Sequence, residues 1–143
     1  MRIRHAIDTD LAVLLHLYQQ LNPAVAPPAH PEAAWAMMQA HPGLTVYVAE
    51  DDGAVAATCT LVVMPNLTNG ARPYALIENV VTDSAHRQRG LGHAVLQAAI
   101  AAAWQAGCYK VMLLTGSKQQ STLRFYLAAG FSQNKTGFQI RRD

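Results

Sequence analysis

The chain has 143 residues, 51% of them hydrophobic and 14% charged, which predicts one globular domain over residues 1–143. Eleven lysines and arginines against nine acidic residues give a net charge of +2, too even for a protein that coats nucleic acid or a membrane surface. Two cysteines and scattered histidines supply neither a disulfide framework nor a metal site. Because there is no signal peptide and no apolar run of about 18–20 residues, a cytoplasmic location is expected.

The N-terminal part is predicted to form one strand and two helices. Residues 2–7 have the pattern of a strand, and Asp8 suits the N-cap of a helix with apolar positions three and four apart up to Leu21. Four prolines within residues 23–31 predict a loop. A second helix is expected over residues 32–40.

The next part of the chain has the pattern of strands. Residues 44–50 are rich in β-branched and aromatic side chains, and the turn signal at 51–53 predicts a hairpin with residues 54–64. Residues 65–73 are expected to form a loop. A further strand is predicted over residues 74–82.

In the remaining sequence, predicted helices and strands alternate. We expect a helix over residues 90–106 with Gly107 as its cap, a buried strand over 109–115, a short helix over 122–129, and one or two closing strands within 131–141. A strand–helix–strand connection makes its two strands parallel. The fold class is therefore α/β (α+β), with a mixed, mostly antiparallel sheet flanked by helices.

The most informative segment is a basic turn between a strand and a helix, Arg87-Gln88-Arg89-Gly90-Leu91-Gly92. Glycines allow close approach to the backbone, and a helix start offers unpaired N–H groups to a phosphate or pyrophosphate. A Walker-type loop is excluded because Gly-Lys-Ser/Thr is missing, and the dinucleotide fingerprint fails where Val95 replaces its third glycine. The alternative is an ordinary strand–helix turn with solvated arginines.

Two motifs resemble the GNAT superfamily of N-acetyltransferases. The basic turn resembles the acyl-CoA motif R/Q-x-x-G-x-G/A, and Arg124-Phe125-Tyr126-Leu127-Ala128-Ala129-Gly130-Phe131 resembles the element F-Y-x-x-x-G-F. The resemblance implies the GNAT fold over the whole chain. It also implies acetyl transfer from acetyl-CoA to a primary amine of a small molecule or peptide, by direct attack in a ternary complex. The alternative is a CoA-binding regulatory or interaction module without catalysis.

The resemblance also implies which residues bind acetyl-CoA. The backbone of Val80, Val81 and Thr82 would run beside the pantetheine arm. The pyrophosphate would be held mainly by main-chain N–H groups of one continuous segment, which comprises Arg87, Gln88, Arg89, Gly90, Leu91, Gly92, His93 and Ala94. Gln119 stands where the family often has an asparagine near the CoA arm.

Two side chains are candidates for catalysis. Tyr126 matches the family position that supplies a hydroxyl to the departing sulfur. Glu78 interrupts an apolar strand, and in a partly buried position it would serve as the base that accepts the amine proton. A main-chain N–H near Val81, released by a bulge in the strand, would stabilise the developing oxyanion. The alternatives are a core tyrosine and a structural carboxylate.

The sequence defines the amine that accepts the acetyl group less closely than it defines the donor. Residues 107–110 and 138–141 resemble glucosamine-phosphate N-acetyltransferases, with Glu78-Asn79 similar to the acidic pair of their I-E-D segment and Arg141 matching their sugar-phosphate arginine. Protein amino termini, lysines, polyamines, amino acids and amine antibiotics stay open as acceptors. Exposed strand edges near the C-terminus favour a homodimer.

Overall fold

The computed structural model describes residues 1–142, which form two compact units. The first unit, Met1–Leu113, contains a β-sheet and its flanking helices. The second unit begins at Leu114 and contains one helix. Within the described part of the chain, no helix is long and apolar enough to cross a bilayer.

The first unit is built on a five-stranded sheet with the strands in sequential order. Neighbouring strands are antiparallel from the first to the fourth, and the fourth and fifth are parallel, as predicted from the strand–helix–strand connection. The strands are β1 (Arg2–His5), β2 (Leu44–Asp51), β3 (Ala54–Met64), β4 (Tyr74–Thr82) and β5 (Val111–Met112).

Three regular α-helices and one short kinked turn, labelled α3, belong to the first unit, and one α-helix belongs to the second. They are α1 (Leu11–Leu21), α2 (Glu32–Ala40), α3 (Thr68–Ala71), α4 (Leu91–Gln105) and α5 (Gln120–Ala128). Short 3-10 helices precede α1 at Asp8–Asp10 and follow β4 at Ser84–His86. The predicted ranges of α1, α2 and α4 are therefore confirmed to within a residue or two.

The sheet has a packed core on each face. On one face, side chains from α1 and α2 meet those of β2 in a cluster of Ala6, Leu14, Trp35, Val46 and Val48. On the opposite face, the buried Cys59 thiol donates to the carbonyl oxygen of Val95 on α4 at 3.6 Å. Burial raises the pKa of Cys59 to about 12, so the thiol stays protonated, as expected of a small core residue.

The start of α1 differs from the prediction. Asp8 is not the N-cap but opens a 3-10 turn, and its carboxylate accepts a hydrogen bond from Trp35 Nε1 at 2.9 Å. The capping contact comes from Asp10, which accepts the backbone N–H of Ile7 at 2.8 Å. Asp10 also pairs with Arg4 at 2.6 Å, and this guanidinium holds the pKa of the carboxyl below its usual range. The side-chain capping contact therefore belongs to the 3-10 turn, and α1 itself begins after Asp10 without a side-chain cap.

Two predicted strands differ from the structure: β5 spans two residues instead of 109–115, and the segment 131–141 forms no strand. The predicted loop 65–73 is confirmed, with the kinked turn α3 inside it. Strands require a hydrogen-bonded neighbour, and among residues 1–142 no strand pairs with 131–141. The apolar residues Phe138 and Ile140 of this segment are 91% and 99% exposed.

Candidate active site

The predicted bulge lies in β4. Thr60 of β3 pairs with Glu78, whereas Thr58 pairs with Val81, so two residues of β4 stand opposite Cys59. An extra residue in one strand bends that strand and disrupts the ladder locally. The expectation of a bulge beside Val81 is therefore confirmed.

Asn79 provides the backbone conformation of the bulge. Its φ is +54°, in the left-handed region, and asparagine tolerates this region better than most residues because its short amide can bond locally. Both Asn79 and the preceding Glu78 have exposed side chains, and Val80 is half-buried. The chain thus places a residue suited to the strained position where the strand changes direction.

One edge of β4 is open beyond the bulge. The ladder with β5 ends at Leu76, and from there to Thr82 no described strand pairs with that edge. The N–H of Asp83 donates to Ala56 on β3 at 2.7 Å. Because successive residues of a strand direct their backbone groups to opposite sides, the N–H of Thr82 points to the open edge.

The turn after β4 ends at an exposed helix start. Gln88 has a φ of +63° and Gly90 a φ of +79°, and α4 begins directly afterwards. The first helical hydrogen bond runs from Ala94 N–H to Gly90 O at 2.9 Å. The N–H groups of residues 91–93 therefore have no acceptor within the helix, and the positive end of the helix dipole coincides with them. We call residues 87–92 the anion turn.

Two arginines lie in the anion turn, and a histidine follows it. Arg87 is exposed and forms no ion pair with any residue in 1–142. Arg89 pairs with Asp51 of the β2–β3 turn at 3.2 Å, and 52% of its side chain remains exposed. His93, in the first turn of α4, is exposed as well. Arg87 can therefore adjust to a bound anion, whereas Arg89 is held by Asp51.

A contact that the sequence did not reveal ties α1 to the residues between β4 and the anion turn. The amide of Gln20 donates from Nε2 to Asp83 Oδ1 at 2.6 Å and accepts Ser84 N–H at Oε1 at 2.9 Å. His86 Nδ1 lies 2.6 Å from Asp83 Oδ2. The hydrogen bonds from Gln20 and His86 lower the pKa of Asp83. No local pattern could reveal a pair 63 residues apart.

Glu78 is exposed, so its predicted partial burial is wrong. The ladder with β5 ends two residues before it, which leaves this side of β4 without a neighbouring strand in the described sheet. Its cross-strand partner is Thr60, which in turn pairs with Val46 of the core beneath α1. Paired residues share a face of the sheet, so Glu78 projects on the α1 face, immediately before the bulge.

The second unit carries the remaining predicted site residues. Tyr126 lies on α5, and its ring packs edge-on against Phe125 and Phe131 at centroid distances of 5.0 and 6.2 Å. Gln119 is the N-cap residue of α5, where its carbonyl accepts the N–H groups of residues 122 and 123. Arg141 is exposed in the C-terminal segment. Packing on two sides fixes the orientation of the Tyr126 ring.

Comparison with known proteins identifies the family. The model of the Acetyltransferase (GNAT) family matches residues 11–131. The chain belongs to this family. It is 30% identical over 145 residues to glucosamine 6-phosphate N-acetyltransferase from Trypanosoma brucei brucei, and the alignment covers 100% of this chain and 95% of that protein. The protein is thus an acetyltransferase, as the two motifs implied.

Solved structures show the same fold. A protein from Agrobacterium tumefaciens str. C58, assigned to the acetyltransferases, is 51% identical with a TM-score of 0.95, covering 99% of this chain and 100% of that one. Glucosamine-6-phosphate N-acetyltransferase from Arabidopsis thaliana has a TM-score of 0.88 at 23% identity, covering 99% and 98%. At 23% identity, the similarity to the Arabidopsis thaliana protein shows a shared fold alone. The predicted mixed sheet of the GNAT fold is confirmed.

Proposed function

We propose that this acetyltransferase moves an acetyl group from acetyl-CoA to a primary amine, by direct attack while both substrates are bound. The observation that carries the proposal is the anion turn, which follows the bulged strand after one short 3-10 helix in a chain of the GNAT family. Acetyl-CoA supplies the acetyl group as an activated thioester. The residues of the chain bind it, orient it and move one proton.

The anion turn fits a pyrophosphate. Three N–H groups without helical acceptors, at Leu91, Gly92 and His93, converge with the positive end of the α4 dipole. Gly90 carries no side chain on the exposed side, and the free Arg87 adds charge. Main-chain donors depend on backbone shape, so the arginines tune affinity while the turn itself creates the site.

The open edge of β4 fits an extended chain with amide groups. Val80, Val81 and Thr82 lie along this edge, between the bulge and the anion turn. The outward N–H of Thr82 and the backbone released by the bulge serve as donors, to the pantetheine arm and to the carbonyl oxygen that gains negative charge during attack. A preorganised N–H at such a position contributes about 2.7–4 kcal/mol to the lowering of an activation barrier.

Two side chains handle the proton and the leaving thiolate. Glu78 accepts the proton that the amine loses, and its exposure on the face next to the bulge leaves it accessible to a substrate that enters from solvent. The hydroxyl of Tyr126 donates to the departing sulfur, a role carried over from the family motif. By the same family resemblance, Gln119 contacts the CoA arm and Arg141 contacts a phosphate of the acceptor.

Glucosamine 6-phosphate is the acceptor best supported. The full-length relative from Trypanosoma brucei brucei bears the name of this activity, and Arg141 stands in the segment that resembles this group. A guanidinium pairs with phosphate through two parallel hydrogen bonds, which glutamine cannot reproduce. Recognition of the acceptor phosphate should therefore depend on Arg141, whereas recognition of the amine should not.

Acceptor kinetics test this assignment. Arg141→Gln should raise KM for glucosamine 6-phosphate roughly tenfold and leave the KM for unphosphorylated glucosamine unchanged, since only the phosphate contact is lost. Arg142→Gln, the same change at the adjacent exposed arginine, is the matched control. Equal effects of both variants, or turnover of glucosamine at the same KM as its phosphate, would exclude the sugar phosphate as the preferred acceptor.

A further inference from the structure

The side-chain amide of Gln20 bonds to the turn that follows β4 through both its nitrogen and its oxygen. Its nitrogen donates to the carboxylate of Asp83 at 2.6 Å, and its oxygen accepts the N–H of Ser84 at 2.9 Å. The same nitrogen lies 3.0 Å from His16 Nε2, one helical turn earlier on α1. One residue of α1 thus fixes two consecutive residues that lead into the anion turn.

Asp83 is anchored from three directions. Its N–H bonds to Ala56 O at 2.7 Å, its carbonyl accepts His86 N–H at 2.9 Å, and its carboxylate accepts from both His86 and Gln20. Three of these four contacts come from the turn itself or from β3. The fourth comes from Gln20, which ties the turn to a further element, α1.

The anion turn needs such support because its own sequence does not favour its shape. Gln88 occupies the left-handed region at φ +63° without the freedom of glycine, and Arg87 before it is extended. A residue held in this region persists only when its surroundings determine it. Groups that bind a ligand through backbone N–H donors also need to be fixed before the ligand arrives.

We propose that Gln20 is a positioning residue for the donor, which holds the Asp83–Ser84 corner so that the anion turn is preformed for a pyrophosphate. The inference rests on the proposed binding of acetyl-CoA at residues 87–92. Gln20 touches no reacting atom in this account. Its loss should therefore change donor affinity and leave the chemical step intact.

The simplest test removes the amide. In Gln20→Ala, the Kd for CoA measured by calorimetry should rise roughly tenfold, the scale of one lost hydrogen bond to a charged group. The kcat at saturating acetyl-CoA should stay within about twofold. In the free protein, the Ser84 amide should exchange its hydrogen at least tenfold faster by NMR, because its acceptor is gone.

Gln20→Glu gives a sharper test. It preserves the acceptor for Ser84 N–H but places a carboxylate against Asp83, so CoA binding at neutral pH should weaken at least as much as in Gln20→Ala. Near pH 5 the introduced carboxyl gains a proton and donates to Asp83 again. The CoA affinity of Gln20→Glu should therefore recover relative to that of Gln20→Ala. The titratable groups facing the site are Asp83, His86 and His16, and Gln20→Ala retains all three.

Gln19→Glu is the matched control, with the same charge change one residue earlier on α1, where the amide bonds to Pro23 O at 3.1 Å. It should show no such pH-dependent recovery of CoA affinity. Wild-type affinity in Gln20→Ala, or slow Ser84 exchange in that variant, would overturn the positioning role while the proposed function stands. A wild-type protein that binds no CoA would instead overturn the proposed donor site, and the inference with it.

Discussion

Replacing Gly90 by alanine should lower both the stability of the fold and the affinity for CoA, for two independent reasons. The φ of Gly90 is +79°, where a residue with a Cβ costs about 1–2 kcal/mol. A Cβ built there has no atom within 4 Å, so the free protein suffers backbone strain without a clash. The same Cβ would stand at the helix start that receives the pyrophosphate. Gly90→Ala should therefore lower Tm by about 3–5 °C and weaken CoA binding at least tenfold.

Gly107 offers a matched control at the other end of α4. Its φ is +83°, and a Cβ built there also has no atom within 4 Å. Gly107→Ala should lose the same stability in thermal unfolding but bind CoA as the wild type does by calorimetry. If the two variants showed equal CoA affinity at equal loss of Tm, the anion turn would not be the pyrophosphate site.

Further variants test the chemistry, the fold and the assembly. Tyr126→Phe should reduce kcat ten- to a thousandfold with little change in acetyl-CoA affinity, and full kcat with rate-limiting chemistry would contradict its role. Glu78→Gln should lose most rate at low pH, where the amine is mostly protonated, and a loss independent of pH would indicate a structural role. Because Arg4 lowers the pKa of Asp10, that pair stabilises the fold above about pH 4 and is lost as pH falls through the folded-state value. Asp10→Asn should thus cost about 2 kcal/mol in denaturant unfolding at pH 7 and progressively less below pH 4, and a constant difference would refute the linkage. The C-terminal segment offers no strand edge for a homodimer but exposes Phe138 and Ile140, so light scattering should still give about twice the 15.5 kDa chain mass, and a monomer at micromolar concentration would contradict a homodimer.

Local patterns predicted most of the first unit. The apolar spacing of α1, the β-branched run of β2 and the position of Gly107 after α4 all depend on neighbours in sequence. The C-terminal segment failed for the opposite reason. Phe138 and Ile140 alternate with polar residues as in a strand, but alternation cannot supply the neighbouring strand that a ladder requires.

The parts of the candidate site that are formed by backbone groups could be predicted from the sequence. Gly90 and the helix start identify the anion turn. The bulge was expected because an oxyanion needs a free main-chain N–H near Val81, and the register of β3 and β4 confirms the bulge. The exposure of Glu78 and the contact of Gln20 with Asp83 were not predictable, because each depends on where another element ends or packs. Burial and long-range hydrogen bonds are properties of the folded chain.

Thiol release from acetyl-CoA across a panel of amines tests the central claim most directly. The panel should contain glucosamine 6-phosphate, glucosamine, a peptide amino terminus, a lysine peptide and a polyamine. The account predicts amine-dependent release of CoA with at least one member, matched by the same amount of acetylated amine in mass spectra, while the protein itself remains unmodified. Tight CoA binding without amine-dependent release from any member would contradict it and identify a binding module instead.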